Sequence, residues 1–591
     1  MRKFFRLFIL VLIIISFQPM VTLLAQSPQP LYLAYPPNNH QTVAEKIFFI
    51  GSASPTNQVT INHQPIQRSK TGNFAPSFPL KMGENKFTIR AKDQTIQRLI
   101  TRLPNQPQIP KGAKFAVNSL TPSQNITRTS GDKVCFSAIA VKNAQISVKI
   151  ANQNITLKSQ VLTPQLPPNS AVLTATNQSQ LPQGITLYQG CTSFANLGNL
   201  GKPIYTITVN DQTASQTGSG EINIIDPSQV TVVEIISDTG VTRTGPSTDY
   251  SRLTPLPKGT KVSVTGTEGD WLRLDYGAWI LAQETQLIPD AILTTSMVRG
   301  ISSQNTENAT EIIFPLENPV PIEIKQEDNR LILSLHNTVA QTDTIYIVEN
   351  PLIRRLDWQQ VNPKKVDYTF NLYSAQQWGY DVRYEGTSLI FSLRHPPQFQ
   401  NKLTRNLEGI SILLDPGHGG KETGAAGPTG YTEKEVNLVV SQLIKEELIK
   451  RGATVYMTRE TDQDLSLNER VVMINKIKPT LAISVHYNAL PDGGDAINTD
   501  GIGAFWYHPQ AHNLAAFLHN YLTKTLKRPS YGVYWNNLAL TRPHTAPSIL
   551  LELGFMINPT EFEWIIDPQE QVKLASAIAD GITEWLHKPQ T

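Results

Sequence analysis

Residues 408–420 read EGISILLDPGHGG. The apolar run ISILL is short enough for a buried strand, and Pro416, Gly417, Gly419 and Gly420 end it in a sharp turn. His418 sits in that turn, where flanking glycines let its side chain leave the strand's carboxyl end without crowding. Two later stretches repeat the layout. TLAISVHYN (480–488) ends near His486, and SILLELGF (548–555) carries Glu552 just before Gly554. The segment after the first turn differs. Thr432 and Glu435 form a Thr-x-x-Glu capping box. Val436, Val439, Val440, Leu443, Ile444 and Leu448 then follow helical spacing, and Gly452 closes the run. Short apolar runs between amphipathic helices predict an α/β domain from residue 408 to 588.

In open α/β sheets, ligands bind beyond the carboxyl ends of the strands. His418, His486 and Glu552 are therefore expected to converge there. Glu433 arrives in the first turn of the helix, where the dipole favours a carboxylate. Glu422 and Glu435 are alternatives by type, and the capping box accounts for Glu435. A glutamate inside an apolar run is costly to bury unpaired. For Glu552 the partner is either a salt bridge, to Arg542 or Arg459, or water at a metal. Two imidazoles, one ligand carboxylate and one spare carboxylate make the donor set of a zinc hydrolase. Three groups hold the ion, and the fourth moves protons.

The whole set is DPGHGG (415–420), Glu-Lys-x-x-Asn-Leu (433–438), VYMTRETDQDLSLNER (455–470), ISVHYNA (483–489) and ILLELGFMIN (549–558). It resembles the zinc-dependent N-acetylmuramoyl-L-alanine amidases of the type 3, or AmiC-like, family across 408–588. The resemblance implies Zn²⁺ on His418, Glu433 and His486, with Glu552 as the catalytic acid–base. It also implies peptidoglycan as substrate, cut at the amide between the lactyl group of N-acetylmuramic acid and L-alanine of the stem peptide. Thr458, Arg459, Asp462, Leu467 and Arg470 are expected to be structural anchors. Arg542 and His544, in LTRPHTAP (540–547), are candidates for substrate contact. His508, His512 and His519 are expected at the surface, the last two on an amphipathic helix. Some family members insert a helix after the second histidine that covers the zinc until a partner removes it. NALPDGGDAINTDGIGAFWY (488–507) is short and rich in Gly, Asp and Asn. The expectation is an open site, no activator protein, and activity in residues 408–591 alone. The alternatives are a zinc peptidase acting within the stem peptide and a non-catalytic wall-binding protein.

Ahead of this domain the pattern changes. Residues 27–400 are rich in Pro, Asn, Gln, Ser and Thr, with short alternating apolar runs, which predicts all-β modules in series. Residues 27–105, with EKIFFIGSA and NKFTIRAKD, read as an immunoglobulin-like sandwich, and 115–226 as a second sandwich. Residues 230–289 resemble a bacterial SH3-type barrel through Arg243, Gly245, Pro246, Ser247, Leu256, Pro257, Gly259, Trp271 and Trp279. Wall-peptide binding is what that resemblance implies, and core packing is the plainer role for the two tryptophans. Residues 296–396 hold a repeat: IIFPLENPVPIEIKQEDNRLILSLHN recurs as YTFNLYSAQQWGYDVRYEGTSLIFSLRH, with Leu335 aligning with Leu393 and Ile322 with Tyr380. Two similar sheets facing each other are expected. This unit resembles the AMIN domain found ahead of wall amidases, which implies wall targeting. Residues 397–407 read as a linker.

With 591 residues the chain has room for roughly three to five domains. A formal net charge of +3 implies no strongly electrostatic partner, and nothing resembles a nucleic-acid-binding arm. Arg2, Lys3 and Arg6 precede LFILVLIIISF, and Ala25 closes the segment, so residues 1–25 read as a signal peptide, with an uncleaved membrane anchor as the alternative because Leu23 is larger than the usual small residue at a cleavage site. Export to the periplasm or cell wall follows, with no stable membrane span after cleavage. Cys135 and Cys191 are either a disulfide formed in an oxidising compartment or two buried thiols.

Overall fold

The computed structural model describes residues 30–104, 112–160, 166, 169–174, 184–399 and 406–588. The signal-peptide segment and residues 400–405 of the linker lie outside them. All-β modules precede a C-terminal α/β domain, the order expected from the sequence.

Period-two alternation builds the first part. In Lys133–Val141, Val134, Phe136, Ala138 and Ala140 point inward while their neighbours are more exposed. Residues 32–102 form a three-stranded and a five-stranded sheet over a core that includes Ile47, Phe49, Phe74, Phe87 and Ile89. In the second sandwich, Lys133–Val141 pairs antiparallel with Ile185–Ser193, which sets Cys135 directly opposite Cys191, and the two form a disulfide.

The second sandwich and the small barrel share a sheet. Ile126–Thr129 pairs with the barrel strand Lys261–Glu268, and Arg128–Glu268 and Arg273–Asp132 ion pairs, both 2.6 Å, cross the junction. Trp271 and Trp279 are each only 8% exposed, so both are core residues of the barrel.

The repeat in 296–394 gives two sheets, of five and four strands, but each is composite. Ala309–Phe314 from the first copy pairs with Ser388–Arg394 from the second, while Lys365–Leu372 from the second pairs with Arg330–His336 from the first. The copies exchange strands, so neither sheet belongs to one copy.

The C-terminal sheet has six strands: β1 (Ser411–Pro416), β2 (Thr454–Met457), β3 (Leu481–Asn488), β4 (Ile502–Trp506), β5 (Ser530–Trp535) and β6 (Ser548–Phe555). Their order is β2-β1-β3-β6-β4-β5. β1, β3 and β6 run parallel and adjacent, and β4 is antiparallel to β6. Five helices surround them: α1 (Glu433–Lys450), α2 (Leu467–Ile477), α3 (Pro509–Leu526), α4 (Pro559–Ile565) and α5 (Pro568–His587). The core joins Ile412, Leu414, Ile483, Val485, Ile549 and Leu551 to Val436, Val440 and Ile444 of α1 and Ile578 of α5. His519 sits on the core side of α3 at 5% exposure, contrary to the surface position expected, and its Nε2 lies 2.9 Å from the Ser530 hydroxyl.

The modules pack onto this domain. Trp378 of the two-sheet unit enters its core beside Trp585, with ring centres 5.6 Å apart. The next residue is Gly379, at φ +114°, where a Cβ would lie 2.4 Å from the Thr545 carbonyl oxygen, so no other residue fits that approach. The first sandwich contributes Phe48, Ile50 and Ala75 to a cluster with Ala496, Phe555 and Ile557. Beside it the Tyr35 hydroxyl donates to Asp492, and His40 Nε2 lies 2.9 Å from the same carboxylate.

Candidate metal centre

The turn after β1 is held by arginines from far along the chain. Arg459 donates to the Pro416 and Gly417 carbonyls (both 2.9 Å), and Arg470 donates to the Pro416 (2.8 Å) and His418 (2.7 Å) carbonyls. Arg470 also pairs with Asp415 at 2.7 Å, with both side chains buried. Asp415 accepts hydroxyl hydrogen bonds from Thr458 and Ser484, each 2.6 Å. Burial alone would raise its pKa, but Arg470 and these donors hold it below the ordinary value. Asp462 accepts the Gly420 N–H at 2.7 Å. Leu467 does not share this work. It is 55% exposed at the start of α2.

Fixed this way, His418 adopts φ +60° and points toward α1 and β3. Its Nε2 lies 3.2 Å from Glu433 Oε1, and His486 Nδ1 lies 3.0 Å from the same oxygen. All three ligand atoms fall within 4.8 Å of one another. Gly417 makes the approach possible, since a Cβ there would sit 2.2 Å from the His486 ring.

Glu433 opens α1. Glu435 accepts the Thr432 N–H at 2.9 Å, as the capping box requires. Glu433 Oε2 accepts the Ala425 N–H (2.8 Å), and Oε1 accepts the Tyr487 N–H (3.2 Å) and Asn437 Nδ2 (3.3 Å). Burial opposes its ionisation, but the contacts with His418 and His486 outweigh that and hold it well below the usual carboxylate range. Glu422 stays outside the group, 3.6 Å from the other nitrogen of His418 and 65% exposed.

Glu552 lies directly across from His486 in the β3–β6 register. Its Oε2 is buried and has no protein hydrogen-bond partner, so neither Arg542 nor Arg459 pairs with it. Burial, reinforced by the Glu433 charge, raises its pKa well above the ordinary value. Such an orphaned carboxyl beside three converging donors suits a group that exchanges protons with a bound water. Tyr531 stands nearby, and its hydroxyl donates to the Leu173 carbonyl of the second sandwich at 2.5 Å.

Arg542 and His544 are elsewhere. They precede the amino end of β6, whereas Glu552 lies toward its carboxyl end. The His544 ring stacks on Tyr380 of the two-sheet unit (4.7 Å), and Arg542 donates to Asn537. Neither belongs to the His418–Glu433–His486 group, so a substrate contact through either would lie away from the metal centre. His508 is half-buried rather than exposed. Burial lowers its pKa to about 4, and its Nε2 lies 2.7 Å from the Arg542 carbonyl.

Asn437, the asparagine of the Glu-Lys-x-x-Asn-Leu motif, has a role that the motif alone does not assign. It is fully buried and reaches both Glu433 and the Gly417 carbonyl (3.2 Å). Its i,i+4 spacing from Glu433 on α1 was the available signal.

Residues 412–584 match the family described as N-acetylmuramoyl-L-alanine amidase, and residues 243–286 match the one described as bacterial SH3 domain. A curated relative named "Probable cell wall amidase LytH", from Staphylococcus epidermidis (strain ATCC 12228 / FDA PCI 1200), is 34% identical over 191 residues, which is 32% of this chain and 62% of that protein. The Staphylococcus aureus protein of the same name is 36% identical over 178 residues, 30% of this chain and 58% of that one. The chain thus spans about three fifths of the length of these relatives. Among solved structures, the catalytic domain of CwlV, an N-acetylmuramoyl-L-alanine amidase from Bacillus (Paenibacillus) polymyxa var. colistinus, is 29% identical, covers 30% of this chain and 98% of that one, and has a TM-score of 0.28. Residues 412–584 are thus similar in sequence to the amidase family, and residues 243–286 to the bacterial SH3 family.

Proposed function

We propose that this chain hydrolyses the amide between the lactyl group of N-acetylmuramic acid and the L-alanine of the stem peptide, as a zinc-dependent wall amidase. The observation that carries the reading is the pairing of Glu552 with His486 across β3 and β6, beside the ligand group of His418, Glu433 and His486. The donor set fits zinc, because ligands at about 2.0–2.1 Å from a tetrahedral ion lie roughly 3.4 Å apart. The His–Glu separations here are 3.0 and 3.2 Å. A zinc ion held there supplies an acidified water and polarises the scissile carbonyl. Glu552 would take the proton of the attacking water and deliver one to the leaving amine. Asn437 and the Ala425 and Tyr487 N–H groups keep Glu433 oriented.

The segment 489–501 forms turns and no helix, and the His418 and His486 side chains remain 21% and 15% exposed. This supports action without an activator. The exported location and the role of the β modules in bringing the domain to the wall belong to the same proposal.

Digestion of purified sacculi with the full chain, followed by mass spectrometry, tests it. Intact stem peptides with a free L-alanine amine are expected, and none after chelation. Fragments cut within the stem peptide would make it a peptidase instead. Glu552→Gln should lose about 10²–10⁴-fold in turnover while elemental analysis shows the metal retained. A variant with near-normal turnover refutes the assignment.

A further inference from the structure

On the far edge of the C-terminal sheet, three units of the chain meet around a cleft of about 360 Å³. β4 and β5 run opposite to β6, so the residues that end them, Tyr507 and Trp535, lie away from Glu552. These two form one wall together with Arg542. The barrel supplies Arg252, and the two-sheet unit supplies Glu323 and Lys325.

The charges in this cleft do not balance. Among the described residues neither Arg252 nor Arg542 makes an ion pair, and Arg542 donates only to the neutral Asn537 side chain (2.6 Å) and carbonyl (3.0 Å). Glu323 is already committed to Lys365 at 3.1 Å, and Lys325 to Glu327 at 2.8 Å. Burial, with the nearby Arg252 and Arg243 charges, brings Arg542 down to about 10. Arg243, the arginine of the barrel's motif, is spent inside the turn, on the Thr248 and Tyr250 carbonyls (both 2.7 Å). It pins the loop, whose far side presents Arg252. Both guanidiniums are half-buried, Glu284 acts on Arg252 without forming an ion pair, and neither has a carboxylate within bonding distance, so an anion entering the cleft would find two unpaired forks. Their planar forks match a carboxylate. Beside them Trp535 is 61% exposed, its ring 5.3 Å from that of Tyr507, a broad face for a ring-shaped body. Pockets at domain junctions of this size take small-molecule-sized groups.

We propose that this cleft binds a glycan bearing carboxylates, namely the strand whose lactyl groups have been freed from their peptides. It would anchor the product strand away from the metal centre while hydrolysis proceeds. The choice of ligand rests on the amidase reading, whereas the cleft itself does not.

The test is calorimetry and Trp fluorescence on the full chain with three probes: glycan strands stripped of stem peptide, the same strands with lactyl carboxylates converted to methylamides, and free stem peptide. Stripped strands should bind, and the methylamide strands and the peptide about tenfold or more weakly. Arg252→Gln should weaken binding of stripped strands by a similar factor and leave digestion of short wall fragments unchanged. Arg252→Lys, which keeps the charge and loses the fork, should fall between. Equal binding of the carboxylate and methylamide strands, preference for the peptide, or an unaffected Arg252→Gln would each overturn the proposal. Carboxylate-dependent binding by a protein that never cleaves sacculi would remove the amidase reading and leave the cleft standing. Cleavage without such binding would do the reverse.

Discussion

Asn437 shows how much of the candidate centre depends on residues that hold no ion themselves. Its amide links Glu433 to the Gly417 carbonyl, so one side chain ties the first turn of α1 to the loop carrying His418. Outer partners of this kind are worth about 10–100-fold in metal affinity. Asn437→Ala should weaken zinc binding by that order, measured by competition with a chromophoric chelator, with little change in far-UV circular dichroism. Wild-type affinity would show that Glu433 needs no such support. Of the four residues proposed to carry the chemistry, His418, His486 and Glu552 were legible because each lies in or just after an apolar run, where a polar side chain has few structural reasons to exist, and Glu433 because it opens a helix behind a capping box. Arg542 and His544 are close to Glu552 in the chain but not in the fold. The strand between converts that proximity to distance: Ser548 to Glu552 alone spans about 13 Å.

At the scale of elements, the TRETDQDLSLNER run joins β2 to α2 and holds the β1 turn from outside. The sequence marks it as structural, but only the fold reveals its target, the carbonyls of Pro416, Gly417 and His418. Arg470→Ala would leave the Asp415 carboxylate buried without its cation. Breaking such a pair costs about 3–5 kcal/mol, so the C-terminal domain's thermal transition should drop by several degrees, and Asp415→Asn should do likewise. An unchanged transition would mean that Thr458 and Ser484 suffice. A second element-level device lies in the two-sheet unit. His336, then Lys365, hold Glu323 at about 2, against burial and an ordinary 4.5. A carboxylate depressed on folding stabilises above its unfolded pKa and loses that contribution as pH falls through its folded one. Stability of this unit should therefore decline from about pH 4.5 downward. Glu323→Gln should flatten that decline in urea titrations, and an identical pH profile would assign the acid sensitivity to other groups. The strand exchange within the repeat was not legible. Period-two patterning specifies which face of a strand is buried, not which copy it pairs with.

Across the whole molecule, the segment after the second histidine answers to a distant module. Residues 489–501 carry no helix, yet they are not left to solvent. Asp492 meets Tyr35 and His40, and Ala496 packs with Phe48 and Ile50 of the first sandwich. The same cluster takes in Phe555, three residues beyond Glu552 on β6. Composition predicted modules in series, as on a string, because a buried contact between distant segments leaves no periodic trace in either. The packing implies that residues 408–591 alone would expose Phe555, Ile557 and Ala496, so activity of that fragment and its stability are separate questions. Burying a side chain such as Phe48, here 2% exposed, contributes about 1.5–3 kcal/mol. Phe48→Asp reverses that contribution and adds an unpaired charge, so the first sandwich should detach in the full chain. Hydrogen exchange across 489–499 should then rise at least about tenfold, since 1.4 kcal/mol is a factor of ten in an opening equilibrium. Zinc content should remain, because none of the three proposed ligands lies in that segment. If exchange in 489–499 stayed at its wild-type level, the loop would be ordered by the C-terminal domain itself, and the sandwich would be a passenger on its surface.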